Sequence, residues 1–312
     1  MKRCDIGADE AVCSVVKDAG DDPDCTHGAE LTATVRFEGD GVELAGGAGV
    51  GRITKEGLGL PVGAPAINPV PRKMIGGSVA EAFREAGVEE RGVRVTISVP
   101  GGEEMAKKTL NDRLGILGGI SILGTSGIVK PFSTSAYRAS IAQGIDVSVA
   151  RGGKHVVVTT GGRSEKFAQA LLPALPEEAF VQMGDFVGFT IAHCAKRGIS
   201  RVTVCGMAGK MSKIAAGRMQ THAAGSEVDM EFLAGVARDC GASEATLVSI
   251  RSGNTARHVQ EIVQRDGVVG FFERLAGLVA GNCRKHVKGS LVVACVLTDF
   301  DGKVLGRAED VS

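Results

Sequence analysis

The chain has 312 residues, is 44% hydrophobic, and carries 36 basic against 36 acidic side chains, with 45 glycines, one tyrosine and no tryptophan. So large an apolar share at zero net charge excludes intrinsic disorder, and the length exceeds what one hydrophobic core usually supports, so two globular domains are expected. Zero net charge removes the long-range field that draws phosphate to a protein, and the scarcity of tyrosine and tryptophan removes most stacking platforms for bases, so nucleic acid is not an expected partner.

In chain order, residues 9–18 read as an opening helix and residues 31–37 and 42–44 as short alternating strands. A loop rich in glycine and proline follows. A helix then begins near Pro69 and runs to about Ala86, with proline tolerated in its first turn, and residues 93–99 form another strand. This is an α+β pattern. From residue 113 the character changes: residues 116–123, 156–160, 180–183, 202–205 and 245–250 are short apolar runs without alternation, the mark of strands buried on both faces. Helical stretches at 134–150, 164–172, 185–196 and 227–240 separate them, and residues 291–297 and 304–305 form a closing hairpin through Asp299-Phe-Asp-Gly302. The expected fold is α/β plus α+β: a smaller α+β N-terminal domain over 1–112 and a Rossmann-like doubly wound C-terminal domain over 113–312.

The first ten residues lack the apolar stretch of a signal peptide, and no uncharged run approaches the roughly 18 residues of a membrane span. A cytoplasmic protein with no membrane partner is expected. Cys4, Cys13, Cys25, Cys194, Cys205, Cys240, Cys283 and Cys295 contain no Cys-x-x-Cys pair and several lie in apolar runs. They read as small buried hydrophobes, with neither a metal site nor a disulfide framework expected.

Glycine stands at roughly twice its usual share, and such an excess belongs in turns and where backbone approaches a ligand. In a doubly wound sheet, ligands bind beyond the carboxyl ends of the strands. The apolar runs here lead into Leu123-Gly-Thr-Ser-Gly127, Thr159-Thr-Gly-Gly-Arg-Ser-Glu165, Gln182-Met-Gly-Asp185 and Cys205-Gly-Met-Ala-Gly-Lys210. Thr160, Gly161, Gly162, Gly184, Asp185, Gly206, Gly209 and Lys210 are therefore the cofactor-binding candidates, although glycine after a strand also serves plain turn chemistry. Neither Gly-x-Gly-x-x-Gly nor a Walker loop is present, and Gly47-Ala-Gly-Val-Gly51 lies where no helix follows, so a pyrophosphate site is disfavoured. A cofactor carrying adenosine without phosphate, such as S-adenosylmethionine, suits this rim. Met207, Met211 and Met219 near it read as packing.

The segment from Gly49-Val-Gly-Arg to Pro71-Arg-Lys-Met-Ile75 is too apolar for a solvated linker and too rich in glycine and proline for a regular element, so it must be an ordered loop. Together with Gly20-Asp-Asp-Pro-Asp-Cys-Thr-His-Gly28, Asn111-Asp-Arg-Leu-Gly-Ile-Leu-Gly-Gly-Ile-Ser-Ile-Leu-Gly-Thr-Ser-Gly-Ile-Val-Lys-Pro131, Gly184-Asp-Phe-Val-Gly188, Gly209-Lys210, Lys213-Ile-Ala-Ala-Gly217 and Thr221-His222, it closely resembles the cobalt-precorrin-5B (C1)-methyltransferase family, CbiD. Family members usually open with a further segment containing a Thr-Thr-Gly-Thr-Cys-Ala-rich run; nothing like it precedes Asp5, so the expectation is a start placed downstream of it or a shortened relative. After His222 the family often reads Ser-x-x-Ala-Asp, where this chain has Ala223-Ala-Gly-Ser-Glu-Val-Asp229.

The resemblance implies S-adenosylmethionine-dependent methylation of carbon 1 of cobalt-precorrin-5B, giving cobalt-precorrin-6A in anaerobic cobalamin biosynthesis. Such a methyl transfer needs alignment rather than a nucleophile or strong acid, so no catalytic residue is expected to stand out. The corrinoid bears ionised acetates and propionates, which call for local cations. Asn68, Arg72, Lys73, Arg113, Thr125, Ser126 and Lys130 lie in the matching segments and are the substrate-binding candidates, Arg72 foremost, with the corrinoid expected between the domains. His222 is a weak catalytic candidate, as a cobalt ligand or proton shuttle, against an ordinary structural role. Asp21, Asp22, Asp24 and His27 read as a proline turn before a metal site. The runner-up readings are a non-catalytic corrinoid-binding carrier and a dinucleotide-dependent oxidoreductase; the oligomeric state, a homo-oligomer included, is left open.

Overall fold

The computed structural model describes residues 1–129, 133–222 and 227–310. They form two units, Met1–Tyr137 and Arg138–Ser312.

The first unit runs β1 (Arg3–Ile6), β2 (Glu10–Val16), β3 (Glu30–Phe37), β4 (Val42–Gly46), β5 (Arg52–Ile53), α1 (Pro69–Ala86), β6 (Val93–Ser98), α2 (Gly102–Ala106), α3 (Asn111–Leu114) and β7 (Ile116–Leu117). Five strands make one sheet in the order β1-β2-β3-β6-β4, antiparallel except where β4 runs parallel to β6. Along β6, Val93, Val95 and Ile97 are buried while the residues between them are half-exposed. That alternation packs one face of the sheet against Phe83 of α1 and against Ile67 and Ile120.

Residues 9–18 are not a helix. Val12, Val15 and Val16 are β-branched, and β2 finds a strand partner on each side, so pairing overrides any helical reading. Residues 116–123 do not join the second unit's sheet either. Ile116 and Leu117 pair with Ile53 and Arg52, Ile120 bridges to Val50 and Ile122 to Ile67. The unit boundary therefore lies after Tyr137 rather than after Asp112.

Of the segment expected as an ordered loop over 49–75, residues 69–75 belong to α1; the rest is ordered by backbone hydrogen bonds, including Ala66 N to Gly51 O at 2.7 Å and Ile53 N to Ala64 O at 2.9 Å. Its tightest point is Gly49. Its N–H donates to Glu103 Oε1 at 2.8 Å, its carbonyl accepts from Ile120 N at 3.0 Å, and a Cβ on it would lie 1.8 Å from the Val99 carbonyl oxygen. With φ at 72°, only glycine fits.

Helix α4 (Thr134–Ala150) leads into the second unit: β8 (His155–Thr159), α5 (Gly162–Leu171), β9 (Phe180–Gln182), α6 (Val187–Lys196), β10 (Arg201–Met207), α7 (Ala208–Ala215), α8 (Met230–Asp239), α9 (Glu244–Arg251), α10 (Ala256–Arg265), α11 (Phe271–His286), β11 (Val292–Thr298) and β12 (Val304–Asp310). The sheet order is β12-β11-β10-β8-β9, parallel but for the edge strand β12. Val156, Val158, Val202 and Val204 pack on one face with Ile145, Ile191, Ile214 and Val279. Val157 and Cys205 pack on the other with Ala168 of α5. Both faces are covered, which is why these strands carry no polar alternation.

The expected strand over 245–250 is helix α9 instead. Ser243 caps it by accepting from Thr246 N at 3.2 Å, and Leu247 and Ile250, three apart, are buried on one side. Cys194, Cys205, Cys283 and Cys295 are buried, and burial pushes the first three thiols up to about 12. Cys4, contrary to expectation, is exposed and faces Cys13 across β1 and β2 with the sulfurs 3.2 Å apart. Among the described residues no helix is long and apolar enough to cross a membrane.

Gly49→Ala should cost about 3 kcal/mol or more, from left-handed backbone strain plus overpacking against Val99. Gly76→Ala, on α1 with nothing within 4 Å of its Cβ, should stabilise by about 0.5–1 kcal/mol. Urea unfolding of both variants checks the pair, and a Gly49→Ala protein as stable as the parent would contradict the close approach.

Candidate functional site

Strand β8 continues to β9 on one side, while β10 continues to β11 on the other. At such a reversal the loops leaving the strand ends diverge and open a cleft. Here the cleft is about 370 Å³. Five of the eight cofactor candidates, Thr160, Gly161, Gly162, Gly209 and Lys210, line it, joined by Arg163, Ser164, Met207 and Phe300.

The walls are tied together. Thr160 N donates to Cys205 O at 3.3 Å, one rung beyond β8, and its hydroxyl lies 3.0 Å from that of Ser164, which donates to Gly161 O at 3.0 Å. Lys210 Nζ reaches Thr160 O at 3.2 Å and Asp185 Oδ1 at 2.9 Å. The ends of β8, β9 and β10 therefore share one cation. Asp185 also accepts from the Thr221 hydroxyl at 3.0 Å. Partial burial works to raise the Asp185 pKa, but the Lys210 ammonium, the Thr221 hydroxyl and the charge of His222 together hold it below its ordinary value. Gly184, with φ at 56°, supplies the turn that delivers Asp185. His222 is exposed beside this group; residues 223–226 lie outside the described residues.

Gly206 differs from the other candidates. It is buried beneath the cleft, and a Cβ there would lie 2.9 Å from the Thr160 side chain. Its smallness sets the floor on which Thr160 rests. Gly161 and Gly209 have nothing within 4 Å of an added Cβ, so their backbones are open. Gly161 and Met207 precede α5 and α7, and neither helix has a side-chain cap. The N-cap residues of both helices therefore supply no side-chain acceptor, and the partial positive ends favour a negatively polarised oxygen there.

In the first unit, Asn68 N donates to Ile122 O at 2.9 Å, and Met74 Cε lies 3.8 Å from where a Gly127 Cβ would be. This brings Asn68, Arg72 and Lys73 at the start of α1 close to the exposed segment holding Thr125 and Ser126. Arg72 is not a free cation. Its Nε donates to Ile67 O at 2.7 Å and one Nη to Pro65 O at 3.2 Å, so the guanidinium staples the loop. Lys73 is exposed; the Arg113 carbonyl accepts from Lys55 Nζ at 3.1 Å on α3. Lys130 lies outside the described residues. Asp24 makes a turn, accepting from Thr26 N at 2.8 Å and pairing with Lys17.

A larger hollow of about 610 Å³ lies over the ends of α8, α9 and α10. Its carboxylate, Asp266, already receives Thr246 Oγ1 at 2.9 Å and Arg265 Nε at 2.7 Å, and no strand ends there. Sequence reasoning missed Phe300 and Arg163 at the cleft. Phe300 sits in the Asp299-Phe-Asp-Gly302 turn, where an apolar residue at a hairpin tip was the available signal.

Fold and cleft together define an α/β protein with a cleft at the carboxyl edge of a parallel sheet. Residues 1–131 match the CbiD family and residues 220–309 the C-terminal domain of CbiD. The cobalt-precorrin-5B C(1)-methyltransferase of Geobacillus thermodenitrificans is 53% identical over 309 residues, covering 99% of this chain and 83% of that protein. Its counterpart in Leptospira interrogans is 50% identical over 313 residues, covering 100% and 85%. The chain belongs to the CbiD family. A crystal structure of the cobalamin biosynthesis protein CbiD from Archaeoglobus fulgidus, 23% identical, covers 85% of this chain and 70% of that one at a TM-score of 0.32.

Because Asp185 ionises more readily folded than unfolded, its contribution is fully present above the ordinary carboxylate value and is lost as pH falls through the lower folded one. Asp185→Asn should thus destabilise at pH 7 by no more than about 1 kcal/mol, given its exposure to solvent. Urea unfolding should show the gap to the parent closing below about pH 4; a gap constant with pH would remove the carboxylate from this role.

Proposed function

We propose that this chain transfers a methyl group from S-adenosylmethionine to carbon 1 of cobalt-precorrin-5B, giving cobalt-precorrin-6A in anaerobic cobalamin biosynthesis. The observation that carries the reading is identity of 50–53%, across nearly the whole chain, to proteins named for that reaction. The second unit is read as a Rossmann-like doubly wound fold whose switch point is the cofactor cleft.

The cleft fits the donor in two respects. Gly161 and Gly209 leave backbone bare to a ligand, and the uncapped starts of α5 and α7 supply N–H donors for hydroxyl and carboxylate oxygens. Neither Gly-x-Gly-x-x-Gly nor a Walker loop occurs in the sequence, which favours an adenosine without phosphate. When bound, the cofactor supplies a methyl group on a positively charged sulfur whose departing thioether needs no proton. The chain's own residues therefore have to orient and exclude water, and such alignment contributes up to roughly 7–11 kcal/mol in favourable cases. That chemistry calls for no nucleophile–base pair.

For the corrinoid, Asn68, Lys73, Arg113, Thr125 and Ser126 are assigned to the ring's carboxylates, with Lys130 grouped with them from sequence. Arg72 contributes by holding Pro65 to Asn68 in place, since its Nε edge is engaged with backbone. Each charge-assisted contact to a carboxylate contributes about 1.5–3 kcal/mol. His222 is kept as the catalytic candidate beside Asp185.

Isothermal titration should show S-adenosylhomocysteine binding to the full chain and NAD failing to bind. Gly161→Val, which meets no neighbour within 4 Å at its Cβ, should weaken that binding at least about tenfold, by filling space the ligand needs, with an unchanged unfolding midpoint. Binding to NAD alone would favour an oxidoreductase, and binding to neither a corrinoid carrier. Transfer of radiolabel from methyl-labelled S-adenosylmethionine to cobalt-precorrin-5B tests the reaction itself.

A further inference from the structure

The cleft holds an aromatic ring that turn chemistry does not call for. Phe300 occupies the turn between β11 and β12, a position that ordinarily takes a small or polar residue, yet it is 41% exposed and lines the cleft with Thr160, Gly161 and Lys210. In a chain that is only 4% aromatic, an apolar ring left partly exposed in the cleft lining offers surface that a ligand can cover.

The ring is held in place from several directions. Asp299 Oδ1 accepts from Asp301 N and Lys303 N, both at 2.9 Å, and Asp299 N donates to Lys303 O at 3.0 Å, which closes the turn. Gly302, with φ at 89°, seats the turn on the Phe167 ring of α5, so closely that a Cβ would lie 2.6 Å from a ring carbon. Arg257 of α10 places its guanidinium carbon 5.0 Å from the Phe300 centroid and is itself steadied by Glu261 at 3.2 Å. The other arginine-covered rings of this unit, Phe186 and Phe189 under Arg138, pack against the main core and do not line the cleft.

We propose that Phe300 is the stacking platform for the adenine base of the bound cofactor, with Arg257 fixing the ring's orientation; this rests on the S-adenosylmethionine reading above. A planar purine has an apolar π-face that a phenyl ring covers in offset stacking, and a ring already immobilised loses little entropy when the base arrives. The open glycines at α5 then take the polar end of the ligand, so base and tail are recognised by different elements. The base is read by shape and stacking.

The test uses the full chain, titrated with S-adenosylhomocysteine, adenosine and methionine, and with 2-aminopurine riboside as a fluorescent probe of stacking. Phe300→Ala should weaken S-adenosylhomocysteine and adenosine by the same factor, roughly 5- to 150-fold for a lost base–aromatic stack, and leave methionine unchanged. Phe300→Tyr should restore affinity to within about threefold, and Phe300→Leu, which keeps apolar bulk without the π-face, should stay weak. Quenching of the probe should appear with the parent and Phe300→Tyr and vanish with Phe300→Ala and Phe300→Leu. A parent that binds S-adenosylhomocysteine while Phe300→Ala matches it within twofold overturns the role of Phe300 and leaves the cofactor site standing. Equal losses for methionine, or affinity retained by Phe300→Leu, would also overturn stacking. A parent that binds no S-adenosylhomocysteine fails the cofactor reading itself.

Discussion

The second unit depends on β10 being paired on both edges by parallel strands. A parallel neighbour cannot be reached by a tight turn, so each pairing demands a crossover, and the crossovers must cover both faces of the sheet. Because β8 leads outward to β9 and β10 leads the other way to β11, α5 lies on one face while α6, α7 and α11 lie on the other. The cleft is the by-product of that divergence. Thr160, Gly161 and Gly162 leave one strand and Met207, Gly209 and Lys210 the next, and Phe300 of the β11–β12 turn joins them at the cleft. A cleft at this edge is a consequence of strand order before it is a consequence of any particular side chain.

The glycine excess divides by physical role. At Gly49 backbone approaches backbone so closely that a methyl group has no room, and the loop's polar groups are satisfied by other segments of the same unit. At Gly161 and Gly209 nothing approaches, and the missing side chain leaves backbone donors open to a ligand. Gly206 belongs between the two, buried beneath Thr160 and setting its height. The first kind keeps a loop ordered that carries Asn68 and Lys73, and the second keeps a cleft accessible.

Charge is likewise spent locally. Lys210 is bound to Asp185 and to the Thr160 carbonyl, and Arg72 to two carbonyls of its own loop, so the cations nearest the candidate sites first position backbone. For a proposed methyl transfer that needs alignment and dryness more than acid or base, fixed geometry of this kind matters more than a reactive group.

The sequence by itself determined most element types where the period was strong: α1 over Pro69–Ala86, β3, β6, and the doubly buried β8, β9 and β10, because hydrophobic spacing and proline or glycine placement act locally. It also singled out the strand-end loops, since small polar residues after an apolar run are a local signal. Only tertiary structure decided that Glu10–Val16 form a strand and that residues 116–122 belong with the first unit, because both rest on pairing with distant partners, β3 for one and β5 for the other. Residues 245–250 became a helix because the Ser243 cap and a one-sided core outweigh an apolar run's ambiguity. Arg72's engagement with Pro65 and Ile67, the burial of Gly206 and the arrival of Phe300 at the cleft were likewise invisible in the sequence, because each depends on where a separate piece of backbone comes to rest.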